Sequence, residues 1–258
     1  MTSSVSTEDY PDASQWLDQL NNADAIAVML DNQAGAISAL KAASSSLDAA
    51  ITAMAERLKL SSTGRIIYIG AGTSARIGVQ DGVELTPTFN WPQDRLDYII
   101  AGGMEALMQS VEGAEDAAEA GQKAAASAAI TEQDVVIGLA ASGTTVFTIA
   151  VLTAARQMGA LTIGIANNRA TPLLSAAEYP ILLDTGGEAL AGSTRMKAGT
   201  AQKICLNTIS TLVMARLGRI KHGLMVAMQP TNAKLVRRKQ QMDSYLSGMA
   251  SHHSDQDS

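Results

Sequence analysis

Two stretches of the chain combine glycine with hydroxyl side chains in the way an anion site requires. The first is Gly70-Ala71-Gly72-Thr73-Ser74 and the second is Ala140-Ala141-Ser142-Gly143-Thr144-Thr145. Each follows a short apolar run and precedes a helical pattern. Glycine lets the backbone approach a ligand, a helix start presents free N–H groups, and hydroxyls add further donors, so a phosphate is held without much cationic charge. Either loop alone is also what a capped turn looks like. Their occurrence twice, at equivalent strand-to-helix junctions, points to a phosphate site built from Gly72, Thr73, Ser74, Ser142, Gly143, Thr144 and Thr145. Arg76 and Ile77 follow Ala75 where a dinucleotide fingerprint needs its third glycine, and no Gly-Lys-Ser/Thr triplet occurs. A dinucleotide or a nucleoside triphosphate is therefore not expected. A small sugar phosphate is.

Carboxylates are the second chemical resource. Glu84 falls at the predicted C-terminal end of the helix after the first loop, where the helix dipole opposes it, so something else must favour it there. Glu112, Glu115 and Asp116 fall at a predicted helix start, where acidic residues also serve simply to complement the dipole. A third segment runs from Glu188 to Lys203, with Gly192-Ser193-Thr194 followed by Arg195 and Lys197. Glu188, Ser193 and Lys197 are read as ligand contacts at the start of a long helix; the plainer alternative is a well-capped helix with solvated cations. His222, His252, His253 and Cys205 show no metal-ligand spacing.

The elements that must position these groups follow from hydrophobic period. Residues 1–13 read as a loosely held start, and helical spacing runs from Ser14 to about Leu60, in two or three helices. Short apolar runs then recur at 65–70, 97–101, 134–139, 161–166 and 179–183, separated by helical patterns at 74–84, 112–128 and 144–158. Such alternation predicts βαβ crossovers: a five-stranded parallel sheet with helices on both faces, plus the N-terminal helices. A long helix is expected over 193–217 and another from Pro230, with a polar tail from about Gly248. The expected divisions are 1–62 (helical), 63–220 (ligand-binding) and 221–258 (helix and tail), packed as one compact domain.

Composition narrows the function classes. Hydrophobic residues make up 47% and aromatics 3%, which suits helices packed closely on a sheet rather than an aromatic nucleic-acid platform. The net charge of −6 argues against a nucleic-acid partner, which needs a basic footprint. One cysteine, Cys205, permits no internal disulfide. The start of the chain lacks the basic and apolar regions of a signal peptide, and no run reaches membrane-spanning length. A cytoplasmic protein without a membrane partner is expected.

At these residues the chain resembles the N-acetylmuramic acid 6-phosphate etherases of the sugar isomerase (SIS) superfamily. The resemblance is carried by Ile69–Ser74, Ala140–Gly143, Val111–Asp116, Gly192–Lys203, Leu224-Met225-Val226 and Thr231–Leu235. It departs from the family in reading Ser74-Ala75-Arg76 for Ser-Gly-Arg, Glu84-Leu85-Thr86-Pro87-Thr88 for Glu-Cys-Pro-Pro-Thr and Ser142-Gly143-Thr144-Thr145-Val146 for Ser-Gly-Arg-Thr-Pro. The N-terminal Thr-Glu-x-x-Asn segment is not evident, and the C-terminal helical extension is missing.

The resemblance implies an SIS-type three-layer sandwich and removal of the lactyl ether from C3 of N-acetylmuramic acid 6-phosphate, giving N-acetylglucosamine 6-phosphate and D-lactate. It implies Glu84 as acid and Glu115 as base, no metal and no cofactor, a homodimer with shared active sites, and a place in amino-sugar metabolism and peptidoglycan recycling. Ten helical residues separate Ser74 from Glu84, about 15 Å. Either that helix ends early and folds back, or Glu84 serves a site shared with another subunit. A sugar-phosphate isomerase and a non-catalytic sugar-phosphate sensor are the alternatives.

Overall fold

In the computed structural model the described residues are 6–109, 111–230 and 233–254, with side chains described through 247. Thr231 and Asn232, two of the residues carrying the resemblance, lie outside them. The sheet has five strands, β1 Ile66–Gly70, β2 Leu96–Ile100, β3 Val135–Leu139, β4 Leu161–Ala166 and β5 Tyr179–Leu182. All pair in parallel, in the order β2-β1-β3-β4-β5. The chain leaves β1 towards one edge and returns past it to β3. The sheet's topological switch point therefore lies between β1 and β3.

Nine helices belong to the described residues: α1 Asn22–Ala42, α2 Ser44–Leu60, α3 Gly72–Val83, α4 Leu85–Phe89, α5 Ala118–Ser127, α6 Val146–Gln157, α7 Pro172–Ala176, α8 Lys197–Arg216 and α9 Ala233–Ser254. The central strands are buried on both faces, and their side chains alternate between two cores. Ile66, Tyr68, Val135, Ile137, Leu161 and Ile163 face one core, together with α2 and α8. Ile67, Ile69 and Val136 face the other, against α5, α6 and α7. Gly138 on β3 and Gly164 on β4 let helices approach the sheet: a Cβ on Gly164 would lie 2.9 Å from the Leu173 carbonyl oxygen of α7. None of the described helices is long and apolar enough to cross a membrane.

Several predicted boundaries move. The start of the chain is not loose throughout: Ser6–Glu8 forms a 3-10 turn in which Thr7 is fully buried. Trp16 and Leu17 precede the first helix, because Asn21 caps α1 by accepting the Asp24 N–H at 3.1 Å. The predicted helix 112–128 starts only at Ala118, since Gly113 takes a left-handed φ of 69° and leads into a 3-10 turn over Ala114–Asp116. The long helix starts at Lys197 rather than Ser193, and α9 runs on past Gly248 to Ser254.

The end of the sheet where the strands begin is stapled by a buried carboxylate. Asp134 accepts from the Arg65 N–H at 2.8 Å, the Arg65 Nη2 at 2.9 Å and the Thr131 N–H at 2.9 Å, joining the starts of β1 and β3. Burial pushes the Asp134 carboxyl up, but the Arg65 side chain and the two amides outweigh it and hold the group below its ordinary 3.8. Stability from this contact is thus present above pH 3.8 and is lost as pH falls through the lower folded value. Asp134→Ala should cost about 2 kcal/mol, because the Arg65 and Thr131 N–H groups lose their buried charged acceptor while the Arg65 guanidinium keeps Asp97 and the Ala128 and Ala129 carbonyls. Thermal unfolding of the variant should also show a weaker loss of stability in acid than the wild type, and an unchanged midpoint would refute the staple.

Candidate functional site

Parallel strands bring all their following loops to one edge of the sheet, and ligands of open α/β sheets bind in the crevice at the switch point. The loops flanking that crevice are the two glycine-hydroxyl loops. Ala71 precedes α3 in extended conformation, and Gly72 opens the helix with φ 52°. Thr145 precedes α6. Neither helix start has a side-chain cap. The first N–H groups of both helices therefore have no side-chain acceptor from their caps.

Local contacts shape the second loop. Ser142 Oγ accepts from the Thr144 N–H at 3.2 Å and from Thr144 Oγ at 3.1 Å. Gly143 has φ 72°, and a Cβ there would lie 2.4 Å from Thr171 Oγ1, so only glycine fits. Asn168, which follows β4, donates its side-chain amide to the Ala141 carbonyl at 3.2 Å and the Ser142 carbonyl at 3.4 Å. In the first loop Thr73 is half-buried and Ser74 buried.

The third helix start differs. Glu188 is 2% exposed and its carboxylate accepts the N–H groups of Lys197 at 3.0 Å and Ala198 at 2.8 Å. The protein's own carboxylate therefore fills the anion position that the sequence suggested for a ligand at α8. Lys197 is buried too: its Nζ donates to the Gly187 carbonyl at 2.5 Å and its stem packs on Gly35 of α1. Burial pushes the Lys197 ammonium down, while the Glu188 charge supports it. Glu188 and Lys197 are thus engaged with the protein, a closed cap more than an open ligand contact. Ser193 sits half-buried in the turn before α8.

The two candidate catalytic glutamates occupy different places. Glu115 lies in the exposed 3-10 turn and lines a cleft of 370 Å³ with Gly72, Arg76, Gln109 and Glu112. Since this turn is no part of a helix first turn, dipole complementation does not account for Glu115. Arg76 fixes the far wall by donating to the Ala106 carbonyl at 2.9 Å and the Leu107 carbonyl at 2.8 Å. Glu84 is not in this cleft. Helix α3 runs unbroken for 12 residues, about 18 Å at 1.5 Å per residue, and Glu84 follows its last turn. The early helix end that would have folded Glu84 back does not occur. Glu84 is exposed at the junction where α3 ends and α4 begins, so the opposed ends of two helix dipoles meet at it. Beside it, Val83, Pro87, Leu96 and Tyr98 line a second cleft of 580 Å³.

Sequence reasoning missed the residue that secures α3. Asp81 is 5% exposed and accepts from the Tyr68 hydroxyl at 2.8 Å, the Asn207 amide at 2.8 Å and the Ser210 hydroxyl at 3.1 Å. Burial raises its carboxyl, and these three hydrogen bonds and Lys203 act the other way. The network ties α3 to β1 and α8, which sets the direction in which α3 carries Glu84. A helical wheel held the signal: Ser74, Ala75, Gly78, Asp81 and Gly82 share the buried face.

A five-stranded parallel sheet with two uncapped loop-to-helix junctions at its switch point defines a three-layer α/β protein of the SIS class. In line with this, residues 49–156 match the model of the glucokinase regulatory protein N-terminal SIS domain. The fold is also that of a protein of known structure from E. coli CFT073 (TM-score 0.54, 18% identity, covering 79% of this chain and 96% of that one). The more particular likeness is to etherases. The chain is 48% identical over 240 residues to an N-acetylmuramic acid 6-phosphate etherase of Deinococcus radiodurans, covering 93% of this chain and 77% of that protein. It is 42% identical over 245 residues to the enzyme of that name from Francisella tularensis subsp. holarctica, covering 95% and 83%. The chain belongs to the N-acetylmuramic acid 6-phosphate etherase family.

Proposed function

We propose that the protein is a lyase that cleaves the D-lactyl ether of N-acetylmuramic acid 6-phosphate, yielding N-acetylglucosamine 6-phosphate and D-lactate. The observation that carries this reading is the cleft shared by Gly72, at the open start of α3, and Glu115. A phosphate on the Gly72–Ser74 and Ser142–Thr145 loops leaves the sugar carbons within the space that Glu115 borders. No metal or cofactor is needed for the chemistry. Ring opening exposes a C1 aldehyde, which acidifies C2–H. Glu115 takes that proton and the lactyl oxygen leaves C3 with a proton from Glu84, giving a C2=C3 double bond; water then adds its hydroxyl to C3 and its proton to Glu84, while Glu115 returns a proton to C2. The loops and Glu115 bind and deprotonate an isomerase substrate equally well, and departure of the C3 substituent is what separates the etherase from that alternative.

Desolvation is one way to keep a carboxyl protonated so that it can donate near neutral pH. Glu84 is exposed in the single chain, next to half-exposed Val83 at 50%. This supports a homodimer in which a second protomer covers the α3–α4 junction and brings Glu84 to its own Gly72 cleft. Helix α1 also leaves Ile26, Leu30 and Ile37 46–66% exposed on one stripe, apolar surface that a second protomer would bury. On this reading the protein works in the cytoplasm in amino-sugar metabolism, within peptidoglycan recycling.

Incubation with N-acetylmuramic acid 6-phosphate should release D-lactate and N-acetylglucosamine 6-phosphate in equal amounts; turnover without lactate would sink the etherase reading. Ser142→Ala removes the oxygen that holds Thr144 in place, and should weaken N-acetylglucosamine 6-phosphate about tenfold with little change in thermal midpoint. Calorimetric titration checks this, and equal affinity would remove Ser142 from the phosphate site.

A further inference from the structure

The chain's first described residues form a strap across the two loops that follow β4 and β5. Thr7 is 0% exposed and Asn168 2%. The Thr7 N–H donates to Asn168 Oδ1 at 3.1 Å, and Asn168 Nδ2 donates back to Thr7 Oγ1 at 2.9 Å. Ser6 Oγ adds a third bond to Asn168 Oδ1 at 3.1 Å. On its far side, Asn168 Nδ2 reaches the Ala141 and Ser142 carbonyls. One amide group thus connects the strap to the phosphate loop. The strap also accepts the Gly192 N–H on the Thr7 carbonyl at 3.3 Å. A Cβ on Gly192 would lie 2.9 Å from Glu8 Oε2, and one on Gly187 would lie 3.2 Å from the Asp9 carbonyl oxygen. The strap therefore rests on both glycines that flank Glu188.

We propose that Ser6–Asp9 is a working part of the sugar-phosphate site, with Thr7 and Asn168 as positioning residues that hold the Ala141–Thr145 loop in its ligand-binding shape. The proposal rests on the phosphate-site reading given above and deepens it. The physical reason is the geometry of Asn168. Its amide N–H groups bond to Thr7 and to two loop carbonyls at once, and its oxygen takes two strap donors. Fixing the strap fixes the amide plane, and the amide plane fixes the carbonyls of Ala141 and Ser142. The orientation of those peptide units decides where the Ser142 N–H points, and it supports the turn in which the Gly143 N–H donates to the Ala140 carbonyl at 3.0 Å. A purely structural strap would add stability without changing what the loop binds.

Calorimetric titration with N-acetylglucosamine 6-phosphate, and with unphosphorylated N-acetylglucosamine, tests this on the full chain. Thr7→Val keeps the side-chain shape and removes the acceptor for Asn168 Nδ2; it should weaken the phosphorylated ligand about tenfold. Thr7→Ser, which keeps the oxygen, should restore binding. Ser6→Ala is the milder variant should Thr7→Val fold poorly, with an expected weakening of about threefold. Because the strap acts through the loop, Ser142→Ala should cost less in the Thr7→Val background than in the wild type. If the wild type discriminates for phosphate but Thr7→Val and Ser6→Ala retain its affinity, with only the thermal midpoint lowered, the strap is structural and the proposal falls alone. If the wild type binds both sugars equally, the phosphate-site reading falls and takes this proposal with it.

Discussion

Glu115→Gln should abolish both D-lactate release and exchange of the substrate's C2–H with solvent, whereas Glu84→Gln should stop lactate release and leave exchange measurable. The asymmetry follows from the order of events, since abstraction of the carbon-bound proton precedes C3–O cleavage. Loss of either group should lower the rate about 10²- to 10⁴-fold, the range for a positioned acid or base. Glutamine preserves size and polarity, and both positions are exposed, so the fold should not change. Exchange followed by NMR in deuterated water, beside a lactate assay, reads both processes. The opposite pattern would exchange the two roles, and near-normal release by both variants would end the two-carboxylate mechanism. The separation of the two glutamates adds a second readout. If each site takes Glu115 from one chain and Glu84 from another, mixing the two inactive variants after subunit exchange should recover part of the activity. Mixtures that stay inactive would count against the shared site.

Glu188→Ala should strongly destabilise the protein. Two N–H groups at the start of a 20-residue helix lose a charged acceptor, and Lys197 keeps its buried position without the opposing charge. Breaking such a buried pairing costs about 3 kcal/mol or more. For a chain of this size that corresponds to a fall in thermal midpoint of about 6–12 °C. Glu188→Gln keeps an acceptor and should lose less. A ligand-contacting carboxylate would behave the other way round. It would lose affinity for the sugar phosphate while the thermal midpoint stayed put, and that outcome would return Glu188 to the binding site.

Much of the molecule is legible in one dimension because its signals are local. A buried parallel strand is a short run such as Ile66-Ile67-Tyr68-Ile69, and the turn after it needs glycine for steric reasons that no distant residue alters. The five strands, the paired glycine-hydroxyl loops and the family resemblance therefore stand in the sequence itself. Boundaries such as the start of α5 or α8 were less legible, because a left-handed Gly113 or a cap supplied from nine residues away decides them. What the tertiary structure alone decided is which groups meet. Strand order puts the two loops on either side of one crevice, since nothing in β1 or β3 specifies their neighbour except the packing of both faces at once. The same packing set the Glu188 carboxylate on the first N–H groups of α8 and buried Asp81 under α3. It also drew Thr7, which looked like loose chain, onto Asn168, 161 residues away. Hydrogen bonds between such distant residues form only when the sheet brings its loops to one edge, so local period and propensity carry no trace of them.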